Sequence, residues 1–185
     1  MTTLENRTGT ALLVIDMQNG VAADLHARDD VVATIDTLVS RARELGTPVV
    51  WVRHQSDELP VGSDVWQLIG ELVPSADEAV VDKRYGDAFE DTRLESVLAE
   101  RGVGRLVVTG AQTDACIRAT LHGGFVRGYD VTLVSDAHST EDLTQWGAPT
   151  PDLVVSHANL YWQFQRGPGR VASVETAAEV DLAHA

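Results

Sequence analysis

The chain has 185 residues, 44% of them hydrophobic and 23% charged, and a net charge of -14 from 28 acidic against 14 basic side chains. That length supports one well-buried domain, and the acidic balance repels phosphate backbones and anionic lipid surfaces, with no basic cluster to offset it. No run approaches the roughly 20 apolar residues of a membrane span, so neither nucleic acid nor membrane is expected as a partner.

The elements follow one another as short apolar, β-branched runs alternating with helical patterns, which predicts a parallel α/β sheet. Thr10–Ile15 reads as the first strand, and the turn signal Met17-Gln18-Asn19-Gly20 follows it. Val31–Leu45 carries Val32, Ile35, Leu38, Val39 and Ala42 at helical spacing and is stopped by Gly46. Val49–Arg53 is the second strand. The stretch 54–74, with Pro60, Gly62 and Gly70, predicts a loop plus a short helix over one edge. Ala79–Asp82, Arg105–Thr109, Val131–Ser135 and a segment near Arg170–Ala172 complete the strands. Helices are predicted over Arg93–Arg101, Asp114–Arg127 and Pro151–Gln165, the last with Leu153, Val154, His157, Leu160, Tyr161 and Phe164 on one side. The strands are near-continuous apolar runs, as expected when both faces of a sheet are covered. No repeat, low-complexity tract or linker divides residues 1–185, which predicts a single domain.

Three residues stand just past three of these strands: Asp16, Lys83 and Cys116. Lys83 is the one lysine and Cys116 the one cysteine of the chain. A lone cysteine cannot make an internal disulfide. The opening Met-Thr-Thr-Leu-Glu-Asn-Arg lacks the basic start and apolar block of a signal peptide, so a cytoplasmic setting is expected. A parallel sheet delivers strand-end residues to a shared crevice. An acid, an ammonium and a thiol gathered there would make a cysteine nucleophile with its own base and electrostatic partner. Cys116 falls in the first turn of a predicted helix, where backbone N–H groups and the macrodipole favour a thiolate. Taken singly, each has a plainer reading: a buried structural cysteine, an aspartate capping a turn, a solvated lysine.

The segments Ala-Leu-Leu-Val-Ile-Asp-Met-Gln-Asn (11–19), Val-Val-Asp-Lys-Arg-Tyr-Gly-Asp-Ala-Phe (80–89) and Leu-Val-Val-Thr-Gly-Ala-Gln-Thr-Asp-Ala-Cys-Ile-Arg-Ala-Thr (106–120) resemble those of the isochorismatase-like cysteine hydrolases. Gly128-Tyr129-Asp130-Val131 and Ser135-Asp136-Ala137 continue the resemblance, which spans roughly residues 9–175. It implies a three-layer α/β/α fold on a six-stranded parallel sheet and an Asp16–Lys83–Cys116 triad without a cofactor. In that mechanism Cys116 attacks, Asp16 moves the proton and Lys83 holds both. The resemblance further implies a cis peptide at Ala111–Gln112 and an oxyanion hole built around Ala111, Gln112 and Cys116. A homodimer or homotetramer is also implied.

One departure bears on substrate. Nicotinamidases of the family carry an Asp-x-His segment and a further histidine for a divalent metal. Here Trp51-Val52-Arg53-His54-Gln55-Ser56-Asp57-Glu58 offers no second nearby histidine, so no metal is expected. Retention of Cys116 favours amide, carbamoyl or lactam hydrolysis over enol-ether chemistry of the isochorismatase type, which would need only Asp16 and Lys83. A non-catalytic thiol sensor on the same fold is the reading from another class. The substrate contacts expected are Gln18, Trp51, His54, Trp66, Tyr85, Phe89 and Tyr161. His122, His138 and His157 read as structural, and His26 and His184 as exposed.

Overall fold

The computed structural model describes residues 2–183; His184 lies outside them. In chain order it contains β1 (Gly9–Ile15), α1 (Asn19–Ala22), α2 (Arg28–Leu45), β2 (Val49–His54), β3 (Ala79–Lys83), α3 (Leu94–Glu100) and β4 (Val103–Ala111). A π-helical turn at Thr113–Ile117 runs directly into α4 (Arg118–Arg127), followed by β5 (Asp130–Ser139), α5 (Pro151–Gln163) and β6 (Ala172–Glu175).

The six strands form one sheet in the order β3-β2-β1-β4-β5-β6, and every neighbouring pair is parallel. Side chains alternate between the two faces. On one face Leu12, Val14, Val49, Trp51, Val107 and Val134 meet the α2 residues Val32, Ile35, Leu38, Val39 and Ala42. On the other, Leu13, Ile15, Val52, Leu106, Val108 and Leu133 meet Leu98 of α3, Leu121 and Phe125 of α4 and Trp162 of α5. The result is the three-layer α/β/α architecture that the sequence predicts. Gly46 ends α2 in the left-handed conformation (φ 71°), its N–H reaching the carbonyls of Ala42 and Arg43.

Chain order reverses between β1 and β4, so the carboxyl ends of these neighbours diverge and open a crevice. Gly110 lets them approach closely. Its φ is +114°, and a Cβ there would stand 2.1 Å from the Ile15 carbonyl oxygen and 2.7 Å from the Ile15 nitrogen. Gly110→Ala is therefore expected to cost roughly 3 kcal/mol or more, the sum of backbone strain and overpacking. For a chain of this size that lowers Tm by roughly 6–12 °C in a calorimetric scan.

Two expectations need correction. Residues 54–74 form no helix: Gly62 turns with φ +86° and the segment is held by isolated contacts rather than by a helical ladder. The turn at 17–20 continues into the short helix α1. In α5 the apolar row Leu153, Leu160 and Phe164 is exposed, and Trp162 is the side chain driven into the core. Trp162 wins because its indole N–H finds the Val131 carbonyl at 3.1 Å while its ring packs edge-on to Phe125.

Candidate active site

Asp16 is the first residue past β1. It adopts a positive φ of 53°, tolerated better by aspartate than by most residues, and this bends the chain away from the sheet. Its N–H still donates to the Val52 carbonyl at 2.9 Å, which fixes the carboxylate at the mouth of the crevice. Lys83 is the last residue of β3, two strands away. Its extended side chain crosses in front of β2, placing Nζ 2.7 Å from Asp16 Oδ2, with both side chains fully buried. The same ammonium donates to Cys116 Sγ and to His54 Nδ1, each at 3.1 Å. His54 and Lys83 are register partners at the ends of β2 and β3, which explains the contact.

Cys116 sits in the π-helical turn that begins as β4 leaves the sheet. The peptide between Ala111 and Gln112 is cis. The Gln112 carbonyl accepts from the N–H groups of Ala115 and Ile117, both at 3.1 Å, and passes over that of Cys116 between them. Thr113, which opens the turn, is anchored by its hydroxyl to His138 Nδ1 at 2.8 Å, and His138 Nε2 meets Asn159 Oδ1 at 2.9 Å. With Nδ1 accepting and Nε2–H donating, His138 is a neutral structural imidazole.

Burial, and next the neighbouring Asp16 charge, push the Cys116 thiol up to about 11, against the downward pull of Lys83. The helix-start argument for a stabilised thiolate therefore fails here: the macrodipole is worth less than desolvation plus a carboxylate at close range. Burial also raises the Asp16 carboxyl, partly offset by Lys83. Burial works against the Lys83 ammonium, but Asp16 and Cys116 together hold its pKa above the ordinary lysine value. The resting site is thus a thiol beside an ion pair. Lys83 occupies Asp16 Oδ2, while Oδ1 is buried without a hydrogen-bond partner. A carboxylate of raised basicity with free lone pairs next to a thiol is arranged to take its proton. Iodoacetamide labelling of this lone cysteine, followed by intact mass, is expected to speed up about tenfold per pH unit between pH 7 and 9, because the thiolate fraction grows with pH below the thiol pKa.

Burial and the Lys83 charge lower the His54 pKa, so its ring is neutral and Nε2 carries the proton. Gln18 holds this residue in place. Its side-chain oxygen accepts from the His54 N–H at 2.7 Å, and its amide nitrogen donates to the carbonyls of His54 and Trp66, both at 2.8 Å. Gln18 is therefore a fully buried clamp rather than a substrate contact.

Asp16, His54, Gln112 and Cys116 all line a cavity of about 400 Å³. The aromatics expected around the substrate do not. Trp51 lies inside the sheet–α2 core, its indole N–H donating to Glu78 at 2.7 Å. Trp66 is covered by the Arg53 guanidinium at 3.7 Å. Phe89 is packed in the opposite core beside Tyr129, and Tyr85 is exposed away from the cavity. Tyr161 bonds His122 Nε2 at 2.6 Å and lines a separate crevice near Arg118. Sequence reading missed the actual walls, Gly20, Val21, Asp24, Ser56, Glu58, Leu59, Val65 and Glu141, because they lie in α1 and in connections without periodicity. For His54 a signal existed: once β2 and β3 are paired in register, the residue opposite Lys83 is determined.

Asp16, His54 and Cys116 bring one ligand atom each within 4.8 Å of the others, a spacing that a metal could use. The Lys83 ammonium already stands within 3.1 Å of all three and fills the place of a cation. Among the described residues no helix is long and apolar enough to cross a membrane.

A parallel sheet covered on both faces, with thiol, carboxylate and ammonium packed at its carboxyl edge, has the architecture of an α/β hydrolase. The comparisons with known proteins agree. A family model described as isochorismatase domain matches residues 10–150. A cysteine hydrolase from Pseudomonas syringae pv. phaseolicola 1448A is 25% identical, with a TM-score of 0.84 over 94% of this chain and 91% of that one. An isochorismatase from Pseudomonas putida KT2440 is 28% identical, with a TM-score of 0.83 over 92% and 89% of the two chains. N-carbamoylsarcosine amidase from Thermoplasma acidophilum, 24% identical, shares the fold with a TM-score of 0.74 over 94% and 99%. The chain belongs to the isochorismatase family.

Proposed function

We propose that the chain hydrolyses a carbon–nitrogen bond in a small amide, carbamoyl or lactam substrate through a thioester on Cys116. The observation that carries this reading is the thiol at the cavity wall, 3.1 Å from a buried ammonium that is itself 2.7 Å from a carboxylate with free lone pairs. As Sγ attacks the carbonyl carbon, its proton passes to Asp16. The oxyanion that forms is held by the amides of Gln112 and Cys116, the role the family resemblance gives them. When the intermediate collapses the C–N bond breaks, and Asp16 returns the proton to the leaving nitrogen. A water then adds to the thioester while Asp16 accepts its proton. Collapse releases the acid and restores the thiol. Lys83 stays protonated throughout, keeping Asp16 and Cys116 in line and limiting the cost of charge on sulfur.

The test is acid quench during turnover of a panel of small amides, carbamoyl compounds and lactams, with peptide mass analysis. An acyl adduct on the Cys116 peptide that appears and decays with amine release is expected. Amine release from the panel with no sulfur adduct, and no diversion to hydroxamate by added hydroxylamine, would reject the thioester route.

A further inference from the structure

Proton transfer and nucleophilic attack use the floor of the cavity, whereas its rim consists of carboxylates that those steps leave idle. Asp24 follows α1, Glu58 lies in the 54–74 connection and Glu141 follows β5; all three line the cavity, and no arginine or lysine does. The backbone of Leu25, next to Asp24, bridges to Glu141, so these two acids flank one edge of the opening. Four acids elsewhere on the surface are ion-paired, in Arg28–Glu71, Arg43–Glu78, Arg53–Asp82 and Arg127–Asp87, but no basic side chain reaches the rim acids. Among the described residues, Asp24 and Glu141 have no ion pair and no side-chain hydrogen bond, and Glu58 has no ion pair and accepts from the Ser56 hydroxyl at 2.9 Å and from backbone N–H.

A second observation comes from the floor. Asp16, buried and lining the same cavity, pairs with Lys83 through Oδ2 at 2.7 Å, while its Oδ1 has no hydrogen-bond partner. The one cation nearby is already engaged, since the Lys83 ammonium is divided among Asp16, Cys116 and His54. Val21, Leu59 and Val65 add an apolar wall, and His54, Ser56 and Gln112 are its neutral polar groups. The cavity therefore offers carboxylates to a positive charge and a surface to an apolar body, but no cationic side chain to a carboxylate.

We infer that the substrate is cationic: an amide, carbamoyl compound or lactam with a protonated amine or guanidinium on a short apolar body. The charge sits at Asp24, Glu58 and Glu141, and the scissile carbonyl at Cys116. This rests on the amide-hydrolase reading for the bond broken, but not for the sign of the charge. It also separates this chain from substrates such as N-carbamoylsarcosine or isochorismate, whose carboxylates would meet like charge at the rim.

The experiment pairs two readouts on wild type and on the Asp24→Asn, Glu58→Gln, Glu141→Gln triple variant, with circular dichroism to confirm that both fold. The first compares kcat/KM for 6-aminohexanamide, heptanamide and adipic acid monoamide, a series matched in chain length with charge +1, 0 and -1. At low salt the cation is expected to lead the neutral amide at least tenfold and the anion about a hundredfold, with the gap closing in high salt and in the variant. The second needs no turnover: rates of Cys116 labelling by aminoethyl and by sulfonatoethyl methanethiosulfonate. A ratio above tenfold in wild type that falls toward one in the variant supports the inference. Equal labelling, or a labelling ratio the variant leaves intact, overturns it whatever the amides do. Amides cleaved without preference for the cation overturn it as well. If none of the amides is cleaved while the labelling ratio stands, the amide-hydrolase reading fails and the charge selectivity survives.

Discussion

Cys116→Ala is expected to lower kcat/KM for amide hydrolysis by about 10⁴-fold or more while leaving the fold intact, because it removes the only atom that can carry the acyl group. The ion pair survives the change, since Asp16 at 2.7 Å and His54 at 3.1 Å remain on Lys83. Stability should thus stay within about 1 kcal/mol of wild type in urea titrations. Cys116→Ser is expected to fall nearly as far: an alcohol keeps a hydrogen bond to Lys83 but surrenders its proton to a carboxylate far less readily than a thiol. The same variant separates the two chemistries open to this family. Enol-ether hydrolysis by Asp16 and Lys83 alone would survive the loss of the thiol. Near-wild-type amine release by Cys116→Ala would remove the thiol from the mechanism.

Lys83→Met is expected to lose activity and stability together. A buried ion pair stripped of one partner costs about 3–5 kcal/mol, because the remaining charge has no compensation. Here the survivor is Asp16, 1% exposed, which would be left with burial raising its pKa and only the weaker pulls of Cys116 and His54 opposing it. Its carboxyl pKa would rise further above the unfolded value. The folded state would then bind more protons than the unfolded state at neutral pH, so stability should increase as pH falls toward that raised pKa. In the wild type Lys83 offsets part of that rise, so the gain from Asp16 on acidification should be smaller. Adding Asp16→Asn to Lys83→Met is expected to recover most of the lost stability, since a neutral amide replaces the orphaned charge, and to recover no activity. Urea midpoints at pH 7.5 and 5.5 for the single and double variants decide this; a Lys83→Met protein as stable as wild type at pH 7.5 would show that the pair is not electrostatically coupled.

The sheet was legible because its strands are buried on both faces and are written as unbroken apolar runs, each closed by a polar residue. Asp16, Lys83 and Cys116 were legible for the same reason: a charged or nucleophilic residue where such a run stops is conspicuous. What failed follows from the limits of local pattern. Trp51, Phe89 and Tyr161 are large aromatics near the right strands, yet whether a ring faces core or cavity depends on which neighbour it meets. The sign of the Cys116 shift was missed because a helix start is visible in sequence, whereas burial beside Asp16 is a property of three assembled strands.

The clamp made by Gln18 has a consequence for how the site meets its ligand. Its side chain bonds both the N–H and the C=O of His54, the pattern by which one strand pairs with another, and so prolongs the sheet past the point where backbone pairing ends. Through the Trp66 carbonyl and the backbone bridge to Leu68, it also closes the base of the connection that forms one cavity wall. The ordering entropy of that corner is thus spent during folding. An incoming molecule finds its reaction partners already fixed, and its binding energy is left for the chemical step instead of for assembling the enzyme.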